Sequence, residues 1–248
     1  SQYITDLIVQ RFPTVANKSQ AVRTGVDSTQ FKKQTKRSEP PRILFVGRIS
    51  PEKGVHLLLE AFGQVTTVYP QAQLDIIGPY HPAPYAYLAG LSNDPNVQAL
   101  ARFYDKRSHQ SRYYDMLQVQ IAPAWADNVH FWGEMPHDAV ALRLAEATML
   151  VNPSLSEAFG NTIIEGMVCG LPVIATDVGG MVESVDEGRA GLLLPPNNAN
   201  RLAEGILSLL SNDEQRERLA SAGYQRACSR YSWEACAEIL QNQINGLY

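Results

Sequence analysis

From Arg42 onward, short apolar runs alternate with stretches in which apolar residues return every three or four positions. Ile43–Val46, Leu74–Ile77, Val129–Trp132, Met149–Val151, Val173–Ala175 and Leu192–Leu194 are largely apolar without strict alternation. That is the pattern of strands covered on both faces. Between the first two, Leu57, Leu58, Ala61, Phe62 and Val65 recur at helical spacing. After Asn200 the pattern is helical throughout: Leu202, Ile206, Leu209 and Leu210, then Leu219 to Tyr224, then Trp233 to Ile244. Strands alternating with helices predict an α/β fold with a doubly wound parallel sheet. Such sheets bind ligands beyond the carboxyl ends of their strands, so the residues that follow each strand are where chemistry is expected.

Two regions depart from this rhythm. Residues 1–41 read as a helical stub, a polar stretch, a Gly25-Val26-Asp27 turn and a charged linker from Lys32 to Pro41, placing the domain at 42–231 and a last helix at 232–248. The basic run in the linker is either a phosphate-binding patch or a solvated connector. The segment Pro79 to Asn128 is too long for an ordinary βα connection and carries six of the eleven tyrosines, so it reads as an insertion with one or two helices of its own. Its tyrosines suit either stacking on a base or sugar, or packing of the insertion onto its own domain.

Composition narrows the classes. Hydrophobic residues at 45% and charged residues at 19% exclude a disordered, collagen-like or coiled-coil chain. A net charge of −4 and a pI near 5.7 argue against broad nucleic-acid binding, which needs a dense field of Lys and Arg. No apolar run approaches the roughly 18 to 20 residues of a membrane span. Cys169, Cys228 and Cys236 are odd in number and form no Cys-x-x-Cys pair, so a reducing cytoplasm is expected and a disulfide scaffold or zinc site is not. The five histidines, His56, His81, His109, His130 and His137, lack metal spacing, and His130, within a strand, reads as structural. The chain opens at Ser1 without Met, as though a preceding part were absent.

Three loops carry candidate chemistry. The first, Gly47-Arg48-Ile49-Ser50-Pro51-Glu52-Lys53-Gly54, follows the first strand and opens a helix. Gly47 permits a tight turn, and Arg48 and Lys53 place two cations where a phosphate would meet a helix N-terminus; a surface loop with two solvated cations fits equally. It matches neither GxxxxGK[ST] nor GxGxxG. The second loop runs from Asn152-Pro153 through Glu157, Phe159, Gly160, Asn161 and Thr162 into a helix bearing Glu165. Its helix presents free backbone N–H groups, and its carboxylates suit paired hydroxyls better than phosphate. A glycosidase acid and base would be expected on different elements across a cleft. The third is the Gly179-Gly180 turn after Val173–Ala175, a close backbone approach at the sheet edge.

In this order, with Val129-His130-Phe131-Trp132-Gly133-Glu134-Met135 before the second, the three loops resemble the donor-binding domain of GT-B-fold retaining glycosyltransferases of family 4. That family carries a Gly-Arg-x4-Lys-Gly loop, present as Gly47, Arg48, Lys53 and Gly54, and an E-x7-E motif, present as Glu157 and Glu165. Thr24-Gly25-Val26-Asp27 followed by Phe31 resembles the family's Asn-Gly-Val-Asp segment, with Thr24 in place of Asn, so that the likeness covers about residues 20 to 240.

The resemblance implies a Rossmann-like domain, the C-terminal half of a GT-B enzyme, that binds a nucleotide-diphosphate sugar. Arg48 and Lys53 would neutralise the diphosphate, Glu165 would bind the ribose hydroxyls, and Glu157 the hydroxyls of the transferred sugar. Backbone N–H groups of Phe159, Gly160, Asn161 and Thr162 would face the distal phosphate and sugar, and the backbone of Met135 the base. No metal or cofactor is implied, and the sequence has no Asp-x-Asp pair. The acceptor site would belong to the absent N-terminal half, as would any peripheral membrane contact. This chain would then bind donor and transfer sugar poorly by itself. A non-catalytic nucleotide-sugar-binding module is the alternative. A pyridoxal-dependent phosphorylase would need a buried Schiff-base lysine, and Lys53 lies in a glycine loop.

Overall fold

The computed structural model describes residues 1–33, 38–88, 92–105 and 111–245. Six strands, β1 (Arg42–Val46), β2 (Gln73–Ile77), β3 (Val129–Gly133), β4 (Met149–Asn152), β5 (Val173–Thr176) and β6 (Leu192–Leu194), form one parallel sheet in the order β3-β2-β1-β4-β5-β6. The expected α/β, doubly wound, Rossmann-like fold is therefore what the chain adopts. Helices in chain order are α1 (Gln2–Arg11), α2 (Val55–Val68), α3 (Tyr85–Leu88), α4 (Pro95–Gln98), α5 (Tyr113–Gln120), α6 (His137–Glu146), α7 (Asn161–Val168), α8 (Met181–Ser184), α9 (Ala199–Ser211), α10 (Asp213–Arg230) and α11 (Trp233–Asn245).

Alternation along β1 divides the core. Ile43 and Phe45 face a cluster with Leu58, Phe62 and Val65 of α2 and Leu202, Ile206 and Leu209 of α9, while Leu44 faces Ile163 and Met167 of α7, Leu144 of α6 and Ala227 of α10. Both faces of the sheet are thus dry, which is why its strands read as continuous apolar runs. Asp75, fully buried on β2, is held by Arg42 at 2.7 Å and by the Trp132 indole at 2.9 Å.

The insertion holds more elements than its sequence signals: α3, α4 and α5, with 3₁₀ turns at Ala99–Phe103 and Pro123–Asn128. Short helices leave little periodicity, and Pro95 and Pro123 start two of these elements. Tyr104 and Tyr113 are buried with Leu100, Phe103 and Leu117 against α2, so these two tyrosines are core residues of their own domain.

The segment ahead of β1 is joined to the domain. Val26 and Phe31 are buried in the second core layer, and the Val26 N–H donates to the Tyr231 carbonyl at 2.7 Å. Of the basic linker, residues 34–37 lie outside the described residues. Lys33 sits 4.5 Å from the centre of the Tyr224 ring.

Candidate functional site

Strand order reverses at β1, which pairs with β2 on one side and β4 on the other. The loops after β1 and β4 therefore diverge and leave a crevice at the sheet's carboxyl edge. A cleft of about 550 Å³ occupies that place. Gly47 and Arg48 line it after β1, Gly78 and Pro79 after β2, Glu134, Met135 and His137 after β3, and Asn161, Thr162 and Glu165 on the first turns of α7. Thr24, Gly25, Asp27 and Trp233 close it from the segment ahead of β1 and the start of α11.

Close backbone approaches hold the loops together. Gly47 N–H donates to Ile77 O and Ile49 N–H to Pro79 O, both at 2.9 Å. Leu155 N–H donates to Glu52 O at 2.7 Å, linking the loop after β1 to the loop after β4. At the crossing Gly54 adopts φ +72°, and any Cβ there would overlap the Pro153 carbonyl. The third loop serves the second: Gly180 N–H donates to Glu157 O at 3.2 Å, and the Ser184 hydroxyl to Phe159 O at 2.6 Å.

Of the residues singled out by sequence, Gly47, Arg48, Met135, Asn161, Thr162 and Glu165 line the cleft, whereas Lys53, Glu157, Phe159 and Gly160 do not. Lys53 Nζ is 2.7 Å from Glu157 Oε2, each side chain being 16% exposed. Arg48 Nη2 is 3.3 Å from Glu52 Oε1, with Arg48 half-exposed and Glu52 buried. The Phe159 ring packs edge-on to Tyr231, and Gly160 takes the left-handed turn before α7. Burial raises the Glu165 carboxyl above its ordinary value, an effect opposed by the charge of His137. Among the described residues no three His, Cys, Asp or Glu side chains gather so as to hold a metal ion. None of the described helices is long and apolar enough to cross a membrane.

Sequence reading gave no site role to His137, Asp27 or Trp233, yet all three line the cleft. His137 stands only two residues beyond Met135, and its ring is edge-on to Phe31 at 6.0 Å. Trp233 reaches the cleft because Gly25 leaves space beneath its ring; a Cβ on Gly25 would come within 2.5 Å of it. No tyrosine of the insertion lines the cleft, and His130 bonds Gln73 across β2 and β3 at 2.8 Å. His109 lies outside the described residues.

A doubly wound parallel sheet with cations and carboxylates gathered at its switch point defines an α/β domain of the Rossmann-like class. The family model described as glycosyl transferases group 1 matches residues 26–226, and the chain belongs to that family. It is 31% identical over 193 residues to an uncharacterized glycosyltransferase of Methanocaldococcus jannaschii, covering 78% of this chain and 44% of that protein. The sucrose-phosphate synthase of Thermosynechococcus elongatus superposes with a TM-score of 0.73 at 27% identity, covering 98% of this chain and 56% of that one. The Anabaena protein HepE, solved with UDP and glucose, superposes with a TM-score of 0.72 at 21% identity, covering 93% of this chain and 58% of that one, a likeness of fold. The chain spans about half the length of the curated relatives it matches.

Proposed function

We propose that this chain is the C-terminal, donor-binding half of a retaining GT-B glycosyltransferase of family 4, which moves a sugar from a nucleotide-diphosphate sugar to an acceptor. The observation that carries the reading is the meeting of Gly47, Arg48, Met135, Asn161, Thr162 and Glu165 around one cleft, although they come from three separate segments, the loops after β1 and β3 and the helix α7. The ligands named for HepE, UDP and glucose, are of the class this cleft would hold.

Arg48 and Lys53 neutralise the diphosphate and stabilise it as it departs, with fixed charges already in place before the bond breaks. Gly47 lets the phosphates approach the backbone, the N–H groups of residues 159–162 meet the distal phosphate and sugar, and the Met135 backbone meets the base. Glu165 accepts the ribose hydroxyls, and Glu157 those of the transferred sugar. With its cations supplied by the protein, the site works without a metal or cofactor. The acceptor is held by an N-terminal half outside this chain, and the whole enzyme works in the cytoplasm, where the three cysteines remain reduced.

The alternative, a non-catalytic nucleotide-sugar-binding module, would use this same pocket. Thermal shift with UDP-, GDP- and ADP-sugars tests the reading, because a ligand bound only by the native state raises stability with occupancy. One of these donors should raise the melting temperature of this chain. If all three leave a folded chain unmoved, the donor reading falls. Transfer should need the N-terminal half, so full turnover by this chain alone would overturn the division of labour.

A further inference from the structure

Both cations of the glycine loop are already held by carboxylates, but the two carboxylates are not equivalent. Glu52, partner of Arg48, is buried, and its Oε1 also accepts the Ser50 hydroxyl at 2.5 Å. Glu52 does not line the cleft. Glu157, partner of Lys53, stands at the sheet's upper edge with its backbone fixed. Its carbonyl accepts the Gly180 N–H, and a Cβ on Gly179 would overlap that same carbonyl. Its Oε1 accepts the adjacent Ala158 N–H at 3.0 Å, which leaves Oε2 to Lys53 alone among the described residues. Arg48 lines the cleft and Lys53 does not. One cation is thus presented to the cleft while the other is drawn aside by a residue whose side chain can exchange partners.

We propose that the Lys53–Glu157 pair is a latch that makes the site distinguish a nucleoside diphosphate sugar from the bare nucleoside diphosphate. This rests on the donor reading above and adds a role to it. A bare diphosphate must take Lys53 from Glu157 and leave the Oε2 of that carboxylate beside the phosphates without its cation. A sugar-bearing donor brings hydroxyls that occupy Glu157 as Lys53 turns to the diphosphate. Once the sugar has been transferred, Glu157 recaptures Lys53, and the diphosphate product leaves more readily.

Calorimetry with UDP and UDP-glucose, or the ADP or GDP counterparts if these bind instead, tests the latch on the wild-type chain, Glu157→Gln, Lys53→Met and the double variant. A partly buried ion pair of this kind competes modestly, so Glu157→Gln should bind the bare diphosphate about 3- to 10-fold more tightly. The same variant should bind the sugar-bearing donor no better than wild type, and in the Lys53→Met background it should lose its gain for the diphosphate. Equal strengthening or equal weakening of both ligands overturns the latch and leaves the donor reading standing. Failure of every nucleotide to bind a folded wild-type chain overturns both. If Glu157→Gln lowers the melting temperature sharply, Glu157→Asp, which withdraws the carboxylate by one methylene, is measured in its place and should likewise tighten the bare diphosphate without tightening the sugar-bearing donor; unchanged affinities overturn the latch.

Discussion

The backbone of Glu52 accepts the N–H of Leu155 at 2.7 Å, and through this bond the loop after β1 is fastened to the loop after β4. The two segments lie about a hundred residues apart in sequence and carry the cations and the carboxylates of the candidate site. Their mutual placement depends on how closely the backbones can approach. Beside the bond, Gly54 sits against the Pro153 carbonyl in a left-handed conformation, so the crossing admits no side chain.

Gly54→Ala should therefore be strongly destabilising. The left-handed conformation alone costs a residue with a Cβ about 1 to 2 kcal/mol. Overlap with a backbone carbonyl adds to that, since neither strand end can move freely. For a domain of this size each kcal/mol lowers the melting temperature by roughly 2 to 4 °C, and a fall larger than the conformational term predicts is expected in thermal unfolding. A melting temperature within a degree of wild type would show that the crossing can relax.

Arg48→Ala should separate the ligand's phosphates from the rest. Charge-assisted bonds to phosphate are worth about 1.5 to 3 kcal/mol, so the affinity for nucleoside diphosphates should fall by roughly 10- to 100-fold, with much less loss for the nucleoside. Calorimetry on both ligands in parallel is the measurement. Equal losses for diphosphate and nucleoside would place Arg48 in the fold and not at the phosphates.

Six strands were legible because each is a short apolar run closed by a turn, and local chemistry alone writes that signal. The loops at their ends were legible for a related reason, since Gly47, Arg48, Lys53 and Gly54 form one contiguous motif. What sequence could not express is pairing at a distance. Lys53 and Glu157 read as two ligands for one donor, and the fold joins them to each other across 104 positions. Val26 and Phe31 lie in a polar stretch without periodicity, yet both are buried once Val26 pairs with Tyr231. Trp233 could be placed at the start of a helix, but its position over Gly25 at the cleft wall depends on that same long-range pairing.

His56 provides a pH-dependent stability test away from the cleft. Its backbone N–H donates to the Tyr113 hydroxyl at 3.0 Å, and that hydroxyl lies 2.9 Å from Nδ1. Burial, aided by the charge of Arg102, lowers the imidazole from 6.5 to about 3. A depressed folded value means that the stabilising contribution is complete above 6.5 and is lost as pH falls from there toward about 3. His56→Asn, which cannot titrate, should flatten the dependence of melting temperature on pH in this window. Identical slopes for the two proteins would exclude His56 as the source.

Glu165 gives the opposite sign, at the candidate site itself. Its carboxyl is raised above 4.5 chiefly by burial, and His137 only partly offsets this. A raised folded value means that the folded chain favours the protonated form: its contribution to stability is complete below 4.5 and is lost as pH rises through the folded value. Ionisation of Glu165 is thus opposed by the fold, as expected of a carboxylate kept for a ligand. Glu165→Gln should raise the melting temperature at pH above the folded value, and this advantage should fade as pH falls through that value and be gone below 4.5. The same substitution should weaken nucleoside and nucleoside diphosphate alike, by roughly 10-fold, because a bond to a charged acceptor is lost from the ribose in both. Stability and binding moving in opposite directions is the expected result. If both fall together, Glu165 belongs to the architecture of α7 and the ribose contact must be sought elsewhere in the cleft.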